Sequence, residues 1–285
     1  MNIYLDCIPC FVRQSLDAAR NATDDVEVHE EIIRHVLRLA AELDLNRPPP
    51  WVSRLIHRRL RELTGVADPY QGVKSRYNRL ALSMLGELRE RVKSSPDPLM
   101  AAAEVAMAAN VIDLGVKSSL NEVQAAEVLR DAGSIDIHGD VDEFKRRVKE
   151  AKNILYLADN AGEIAIDKLL IEVLGPKRVT VVVRGNAVIN DATMDDAREV
   201  GMCELVQVID NGSDAPGTIL DDCSAEFKEH FLEADLIISK GQGNYETLSG
   251  EDANLVFLFK VKCSLIAHHA NLPLGVHALL TNHRS

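Results

Sequence analysis

The segment Asp159-Asn160-Ala161-Gly162-Glu163 combines residue types that suit a loop binding a metal or a phosphate. A carboxylate stands next to a side-chain amide, and the oxygens of both are hard donors suited to Mg²⁺, Mn²⁺ or a similar cation. Gly162 allows a backbone to approach a ligand closely, and the helix predicted to follow would direct free N–H groups at an anion. The alternative is local: an Asx N-cap with Glu163 completing a capping box.

A second acidic loop, Asn190-Asp191-Ala192-Thr193, follows the next predicted strand, and Asp191 is a candidate third hard ligand. An Asp-Asn-Asp set leaves coordination positions open for water and for a phosphate oxygen, as metal-assisted hydrolysis requires. The competing interpretation is again a helix N-cap, because acidic residues also favour the first turn of a helix.

A glycine-rich loop and several cations indicate that the ligand is a phosphate. The loop Lys240-Gly241-Gln242-Gly243-Asn244 resembles a phosphate cradle, but its lysine precedes the glycines and no Gly-Lys-Ser/Thr follows, so it is not a Walker A sequence. Its structural alternative is a turn into a short helix. Further candidate substrate or phosphate contacts are Glu163, Arg184, Asn186 and Lys262. For the cations Arg184 and Lys262, the alternative is an ordinary solvated side chain.

These loops need a scaffold that brings them together. After residue 151, short apolar runs alternate with helical segments, and most of the runs end in polar or charged residues. Alternating helices and near-continuous apolar strands predict a mostly parallel, doubly wound sheet in a three-layer α/β/α fold. Ligands of such sheets bind at the carboxyl ends of the strands. The predicted strands begin at Ile154, Val179, Leu205, Leu236 and Leu255, with a possible last strand at Val276–Leu280.

The first 150 residues show helical periodicity almost throughout. We predict a helical N-terminal region, residues 1–95, and an α/β metal-binding domain, residues 96–285, whose sheet starts near residue 153. The segment Pro98–Leu114 is nearly apolar all round, which predicts a buried helix. Asn110 and Asp113 lie on one face of it and are candidates to line the ligand cavity. Hydrogen bonding to a nearby loop is their alternative role.

The composition restricts the classes of function. The chain has 285 residues, 46% of them hydrophobic, and a formal net charge of −12. This charge, with only 4% aromatic residues, disfavours nucleic-acid binding through a general basic field. No apolar run approaches the length of a transmembrane helix, and the N-terminus lacks a basic stretch followed by an apolar one. We therefore expect a cytoplasmic protein with no membrane partner.

The five cysteines, an odd number, argue against a disulfide framework. Cys7 and Cys10 form a C-x-x-C motif before a predicted helix, where a thiolate would be stabilised. Together with Cys263, and with His268 or His269 as a fourth ligand, they could form a redox or soft-metal site. A packed pair of small thiols near the mouth of the site is the simpler interpretation.

Taken in order along the chain, the motifs resemble those of the damage-control phosphatases, also called the acidic-residue methyltransferase-like metal-binding domain. The resemblance extends over nearly the whole chain, and its C-x-x-C motif is typical of the prokaryotic branch of that family. The residues that carry it are Cys7 with Cys10, Ala109–Asp113, Leu157–Glu163, Arg184-Gly185, Asn190–Thr193 and Lys240–Leu248.

The resemblance implies an α/β/α sandwich with a helical N-terminal part and a metal-dependent phosphatase activity. It implies a divalent metal, such as Mn²⁺, Ni²⁺, Co²⁺ or Mg²⁺, held by Asp159, Asn160 and Asp191, and phosphate contacts from Lys240. The implied substrates are small phosphorylated metabolites, such as sugar phosphates or altered nucleotides. The alternatives are a metal-dependent binding protein without turnover and a carboxyl methyltransferase, although no glycine-rich nucleotide fingerprint follows the first strand.

Two nucleophiles fit such a site. One is a water molecule made acidic by the cation, and the other is an aspartate carboxylate that would form an aspartyl phosphate. Water is favoured because both aspartates are already assigned to the metal.

Overall fold

The computed structural model of the chain describes residues 1–112 and 135–282. Asp113 lies outside these residues, and so does a part of the helical pattern predicted for the first 150 residues. Within the described ranges, no helix is both long and apolar enough to cross a membrane.

Seven strands form one sheet, and all but the first were expected from the sequence. Strand β1 has three residues, which is too short for a recognisable apolar run. The strands are β1 Ile137–Gly139, β2 Ile154–Leu157, β3 Val179–Val183, β4 Gln207–Asp210, β5 Leu236–Lys240, β6 Leu255–Lys260 and β7 His277–Thr281. Their order is β1-β7-β6-β5-β2-β3-β4, and every neighbouring pair is parallel except β6 and β7. The mostly parallel, doubly wound sheet is confirmed.

Eleven α-helices occur in the described part of the chain. The predicted buried helix from Pro98 is α-helical only to Ala108, and a 3₁₀ turn, Ala109–Ile112, follows and carries Asn110. The α-helices are α1 Cys7–Ala22, α2 Val26–Ala41, α3 Pro49–Thr64, α4 Gln71–Ser94, α5 Pro98–Ala108, α6 Val141–Glu150, α7 Glu163–Leu174, α8 Met194–Glu199, α9 Ala225–Glu233, α10 Gln242–Leu248 and α11 Ser264–Ala270.

Helices cover both faces of the sheet, which confirms the three-layer arrangement. On one face, side chains of α4, α5 and α7, such as Leu88 and Ile166, share a core with Ile238 of β5. On the other face, Phe227 of α9 and Leu248 of α10 pack with apolar strand residues that point to that side of the sheet. Strands β2, β3, β5 and β6 are buried on both sides, as their continuous apolar sequences predict, whereas the edge strands β1 and β4 are partly exposed.

Helices α1, α2 and α3 form apolar clusters of their own. One cluster contains Phe11, Val36 and Ile56, and a second contains Ile32 and Leu60. Helix α4 packs instead in the core that covers the sheet. The division into regions 1–95 and 96–285 remains a prediction.

Candidate active site

The two acidic loops lie side by side at the carboxyl edge of the sheet. Strands β2 and β3 are parallel neighbours, and beyond them the Ala192 N–H donates to the Asp159 carbonyl oxygen over 2.8 Å. Asn160 and Asp191 face each other across an isolated β-bridge. The fold thus brings Asp159, Asn160 and Asp191 together, although they belong to loops that follow different strands.

Neither acidic loop serves as a simple helix cap. The N-cap position of α7 is Gly162, which has no side-chain cap, and the cap of α8 is Thr193, which forms a capping box with Asp196. The local interpretations of Asp159 and Asp191 as N-caps are therefore wrong, because other residues occupy the capping positions.

Three N–H groups at the start of α7 bond within the chain. The Gly162 N–H donates to Asn78 Oδ1 over 2.6 Å. The Ile164 N–H donates to the Asn160 carbonyl oxygen and the Ala165 N–H to the Gly162 carbonyl oxygen, each over 3.1 Å. These three donors are therefore not directed at a ligand, and anion binding by the helix start stays a prediction.

Asp159 is a buried carboxylate surrounded by amides and other carboxylates. Its Oδ2 accepts hydrogen bonds from Nδ2 of Asn110 and from Nδ2 of Asn160, both over 2.8 Å. Burial, reinforced by the charges of Glu163 and Asp191, raises the pKa of Asp159 well above its usual value. A cation placed beside this carboxylate would offset that repulsion.

Glu163 links this group to a buried lysine. Lys240 Nζ lies 2.6 Å from Glu163 Oε1, 2.6 Å from Asp167 Oδ1 and 3.1 Å from the Ala106 carbonyl oxygen. All three charged side chains are completely buried. Burial acts to lower the pKa of Lys240, but the charges of Asp167 and Glu163 outweigh it and raise that pKa.

The orientation of two side-chain amides suits a hard cation. Glu163 Oε2 accepts from Nδ2 of Asn110 over 2.9 Å and from Nδ2 of Asn160 over 3.1 Å, so each amide turns its nitrogen to the carboxylates. Asn110 Oδ1 is buried and has no hydrogen-bond partner. Residues 1–112 and 135–282 hold no group of three His, Cys, Asp or Glu side chains that could bind a metal ion. A cation would therefore use amide oxygens in addition to Asp159 and Asp191, and this donor set fits it.

Arg184 braces Asp191 from inside the protein. Its Nε donates to Asp191 Oδ2 over 2.7 Å, and its two other nitrogens donate to Thr218 Oγ1 over 3.4 Å and to Asn244 Oδ1 over 3.3 Å. Asn244 in turn donates to the Lys240 carbonyl oxygen over 2.8 Å. The structure thus places Arg184 and Asn244 behind the acidic loops as internal supports.

The predicted phosphate contacts occupy three different environments. Lys240, Arg184 and Asn244 are buried and bonded to other protein groups, whereas Asn186 is exposed and does not line the cavity described below. Lys262 is exposed and lines that cavity. Its positive charge acts to lower the pKa of Asp159.

Gly241 is a position where glycine is required. Its φ is +81°, and a Cβ there would overlap the Asp159 carboxylate. We expect Gly241→Ala to lower the free energy of unfolding by about 1–3 kcal/mol, because the left-handed backbone strain adds to displacement of the carboxylate. The rate of phosphate release should fall by more than the smaller fraction of folded protein alone would cause.

The control for Gly241→Ala is Gly250→Ala, because nothing lies within 4 Å of a Cβ at Gly250 and its φ is not in the left-handed region. Thermal unfolding and initial rates would be measured for both variants. Equal behaviour of the two would show that the Asp159 carboxylate does not depend on the space that Gly241 leaves.

A cavity of about 650 Å³ opens at Asp159, Asn160 and Asp191. Asn110 and the lysines Lys260 and Lys262 also line it. Helices α1 and α3 of the N-terminal region contribute further lining residues, among them Phe11, Gln14, Ser53 and His57. Burial lowers the pKa of His57 to about 4, so this imidazole is neutral near pH 7.

The C-x-x-C cysteines line the same cavity. Cys7 is buried, Cys10 is exposed, and Cys263 is intermediate, and all three are free thiols. Burial raises the pKa of Cys7, which disfavours a reactive thiolate there. The described residues contain no group of three or more Cys, His, Asp or Glu side chains that could hold a metal ion, so a soft-metal site at these cysteines stays a prediction.

Sequence reasoning missed Asn78, which contacts the first acidic loop from α4. The available signal was its position, because the buried stripe of α4 runs through Lys74, Asn78, Ala81, Leu85 and Leu88 at helical spacing. Two polar side chains one turn apart on an otherwise apolar stripe indicate a buried polar contact.

Comparisons with known proteins agree with the fold and the motifs. The sequence profile of the damage-control phosphatase ARMT1-like domain matches residues 3–276. A damage-control phosphatase of Archaeoglobus fulgidus is 34% identical over 275 residues, covering 94% of this chain and 95% of the relative. A damage-control phosphatase of Pyrococcus horikoshii is 32% identical over 289 residues, covering 99% of both chains.

The fold also agrees with a solved structure. The crystal structure of a DUF89 family protein from Pyrococcus horikoshii superposes with a TM-score of 0.84 and 30% identity, covering 100% of both chains. The relatives support a house-cleaning phosphatase role. With a profile match over nearly its whole length and relatives more than 30% identical, this chain belongs to the damage-control phosphatase ARMT1-like family.

Proposed function

We propose that this chain is a divalent-metal-dependent phosphatase that hydrolyses phosphate monoesters of small metabolites, with damaged nucleotides or sugar phosphates as its substrates. The observation that carries the proposal is the convergence of Asp159, Asn160 and Asp191 at a cavity of about 650 Å³. A cavity of this size accommodates a nucleotide or a sugar phosphate. The family to which the chain belongs supports the reaction class.

Asp159, Asn160 and Asp191 are the residues that would hold the metal, and Mn²⁺, Ni²⁺, Co²⁺ and Mg²⁺ are the candidate ions. When bound, such an ion would neutralise charge on the phosphoryl group and make a water molecule more acidic. The clustering of Asp159 with two further carboxylates supports this assignment, since a buried carboxylate cluster is costly without a cation.

The chain's own side chains bind and orient the phosphate. The Lys262 ammonium lines the cavity and can pair with a non-bridging phosphate oxygen, which offsets charge in the transition state. Lys240 acts indirectly, because its ammonium neutralises Glu163, whose carboxylate fixes the amides of Asn110 and Asn160. This arrangement keeps the amide oxygens turned away from the carboxylates.

Water is the nucleophile that we propose. Asp159 accepts two amide N–H groups and Asp191 accepts the Arg184 guanidinium, so neighbouring donors already engage both carboxylates. The water oxygen forms a bond to phosphorus as the ester P–O bond breaks. The ester oxygen leaves with a proton, and inorganic phosphate is the second product.

The test is release of p-nitrophenol from p-nitrophenyl phosphate by protein first stripped of metal with a chelator. We expect release only after Mn²⁺, Ni²⁺, Co²⁺ or Mg²⁺ is added, because in the proposed mechanism Asp159, Asn160 and Asp191 act through the cation that they would hold. A panel of phosphorylated metabolites would then rank the substrates. Binding of phosphate with no release under any of these metals would contradict the proposal and indicate a binding protein.

A further inference from the structure

Asn78 of helix α4 contacts the first acidic loop and helix α8. Its Oδ1 accepts the Gly162 N–H over 2.6 Å, and its Nδ2 donates to Asp196 Oδ1 over 3.1 Å and to Glu199 Oε2 over 2.8 Å. The side chain is completely buried. Gly162 belongs to the loop of Asp159, and Asp196 and Glu199 lie in α8, directly after the loop of Asp191.

Asp196 connects Asn78 to the second acidic loop through Thr193. Its Oδ2 accepts the N–H of Thr193 over 2.9 Å and the hydroxyl of the same residue over 2.8 Å, and it lies 2.7 Å from Lys74 Nζ. Thr193 is two residues from Asp191. Helix α4 therefore holds the start of α8 through Lys74 and Asn78, and Asn78 alone of the two also bonds to the first loop.

The backbone of α4 also lies directly against the first loop. Gly162 has φ +77°, and a Cβ there would come within 3.0 Å of Tyr77 Cβ and 3.3 Å of the Tyr77 carbonyl oxygen. The loop thus has no freedom to move toward α4, and the Asn78 hydrogen bond opposes movement away from it.

We propose that Asn78 is a positioning residue, which holds the loops of Asp159 and Asp191 in the arrangement that binds the divalent cation. The inference rests on the proposed function for the identity of the ligand. Asn78, which lies within residues 1–95, would then support the metal site without binding the metal itself. Loss of such supporting contacts commonly lowers metal affinity 10- to 100-fold.

Asn78→Ala removes the acceptor for the Gly162 N–H. We expect the dissociation constant for Mn²⁺, measured by titration calorimetry on protein stripped of metal, to rise about 10- to 100-fold. The turnover number at saturating Mn²⁺ should stay within a few-fold of the wild type, because Asn78 does not line the cavity. In the metal-free protein, amide hydrogen exchange at Gly162 should become faster.

Glu199→Ala is the matched control. It removes one hydrogen bond of the Asn78 Nδ2, together with contacts to Ser75 and Arg79, and leaves the Gly162 contact in place. Its Mn²⁺ affinity and Gly162 exchange should match the wild type. Equal weakening of Mn²⁺ binding in both variants would overturn the proposal in favour of general packing, as would wild-type affinity in Asn78→Ala.

The triple variant N78D/D196N/E199Q tests rescue and covers the case in which Asn78→Ala does not fold. It restores an acceptor for the Gly162 N–H and replaces both carboxylates that accept from Asn78 Nδ2 by amide donors, so that no carboxylate faces the one at position 78. Mn²⁺ affinity and slow Gly162 exchange should therefore return toward the wild type. Failure of that rescue in a folded protein would overturn the proposal. Failure of the proposed function can be told apart from failure of this proposal. It would appear as absent phosphatase activity in the wild type, while amide exchange at Gly162 in the wild type and the variants would still report on the role of Asn78.

Discussion

Asp159→Asn is expected to abolish metal-dependent phosphate release without unfolding the protein. The substitution removes a charged ligand but keeps an oxygen that can accept from Asn110 and Asn160. Loss of roughly 4 kcal/mol of transition-state stabilisation corresponds to about a 1,000-fold slower reaction. The measurement is the initial rate with p-nitrophenyl phosphate and Mn²⁺, together with Mn²⁺ binding by calorimetry.

The metal-free Asp159→Asn protein should be more stable than the metal-free wild type at neutral pH. Burial, with the charges of Glu163 and Asp191, raises the pKa of Asp159. A carboxyl with a higher pKa in the folded than in the unfolded chain contributes its stability below the unfolded pKa of about 4, and loses it as the pH rises. The stability advantage of the variant should therefore grow from pH 5 to pH 8.

Asp195→Asn is the control for this experiment. Asp195 lies on α8, its side chain is 85% exposed, and it pairs with Arg198 on the same helix. Its substitution should change neither rate nor stability by a measurable amount. Turnover by Asp159→Asn within tenfold of this control would refute the assignment of Asp159 to the metal.

Lys240→Met is expected to cause the largest loss of stability. The substitution leaves Glu163 and Asp167 without the ammonium that lies 2.6 Å from each, in a site with no solvent exposure. Breaking a buried charge pair in this way costs about 3–5 kcal/mol. Denaturant unfolding monitored by circular dichroism would measure the difference in the free energy of unfolding.

Two variants define the cause of that loss. Lys168→Met removes a partly buried lysine whose hydrogen bonds within the described residues go to the carbonyl oxygens of Val200 and Gly201, so its cost should be much smaller. The triple variant K240M/E163Q/D167N removes all three charges together and should recover much of the stability. A cost for Lys240→Met no larger than that for Lys168→Met would show that the buried lysine does not stabilise the fold.

The sequence predicts the ends of the strands well, because that prediction depends on local features. Polar residues such as Asp159 and Arg184 directly follow continuous apolar runs, and parallel sheets place such ends at one edge. The role of Lys240 could not be predicted from the local sequence. A lysine beside glycines resembles a phosphate ligand, whereas its partners Glu163 and Asp167 lie 77 and 73 residues away and meet it only through the packing of α7 on β5.

The order of the strands and the hydrogen bond from α4 to the first acidic loop also could not be predicted from local sequence patterns. Strand β7 pairs with both β1 and β6, and nothing in its five residues specifies those neighbours. Asn78 lies 84 residues from Gly162, so its hydrogen bond depends on where α4 packs. Only the polar interruption of the apolar stripe pointed to such a contact.

The N-terminal helices have two different relations to the cavity. Helices α1 and α3 line it with residues such as Phe11 and His57 and form apolar clusters with α2, whereas α4 belongs to the core that covers the sheet and bonds to Gly162. A chimaera that exchanges residues 1–70 with those of a relative would change this part of the cavity wall and keep the loops of Asp159 and Asp191. Under the proposed function, we expect such a chimaera, joined at the turn before α4, to change its preference among phosphorylated metabolites and to retain metal-dependent phosphate release.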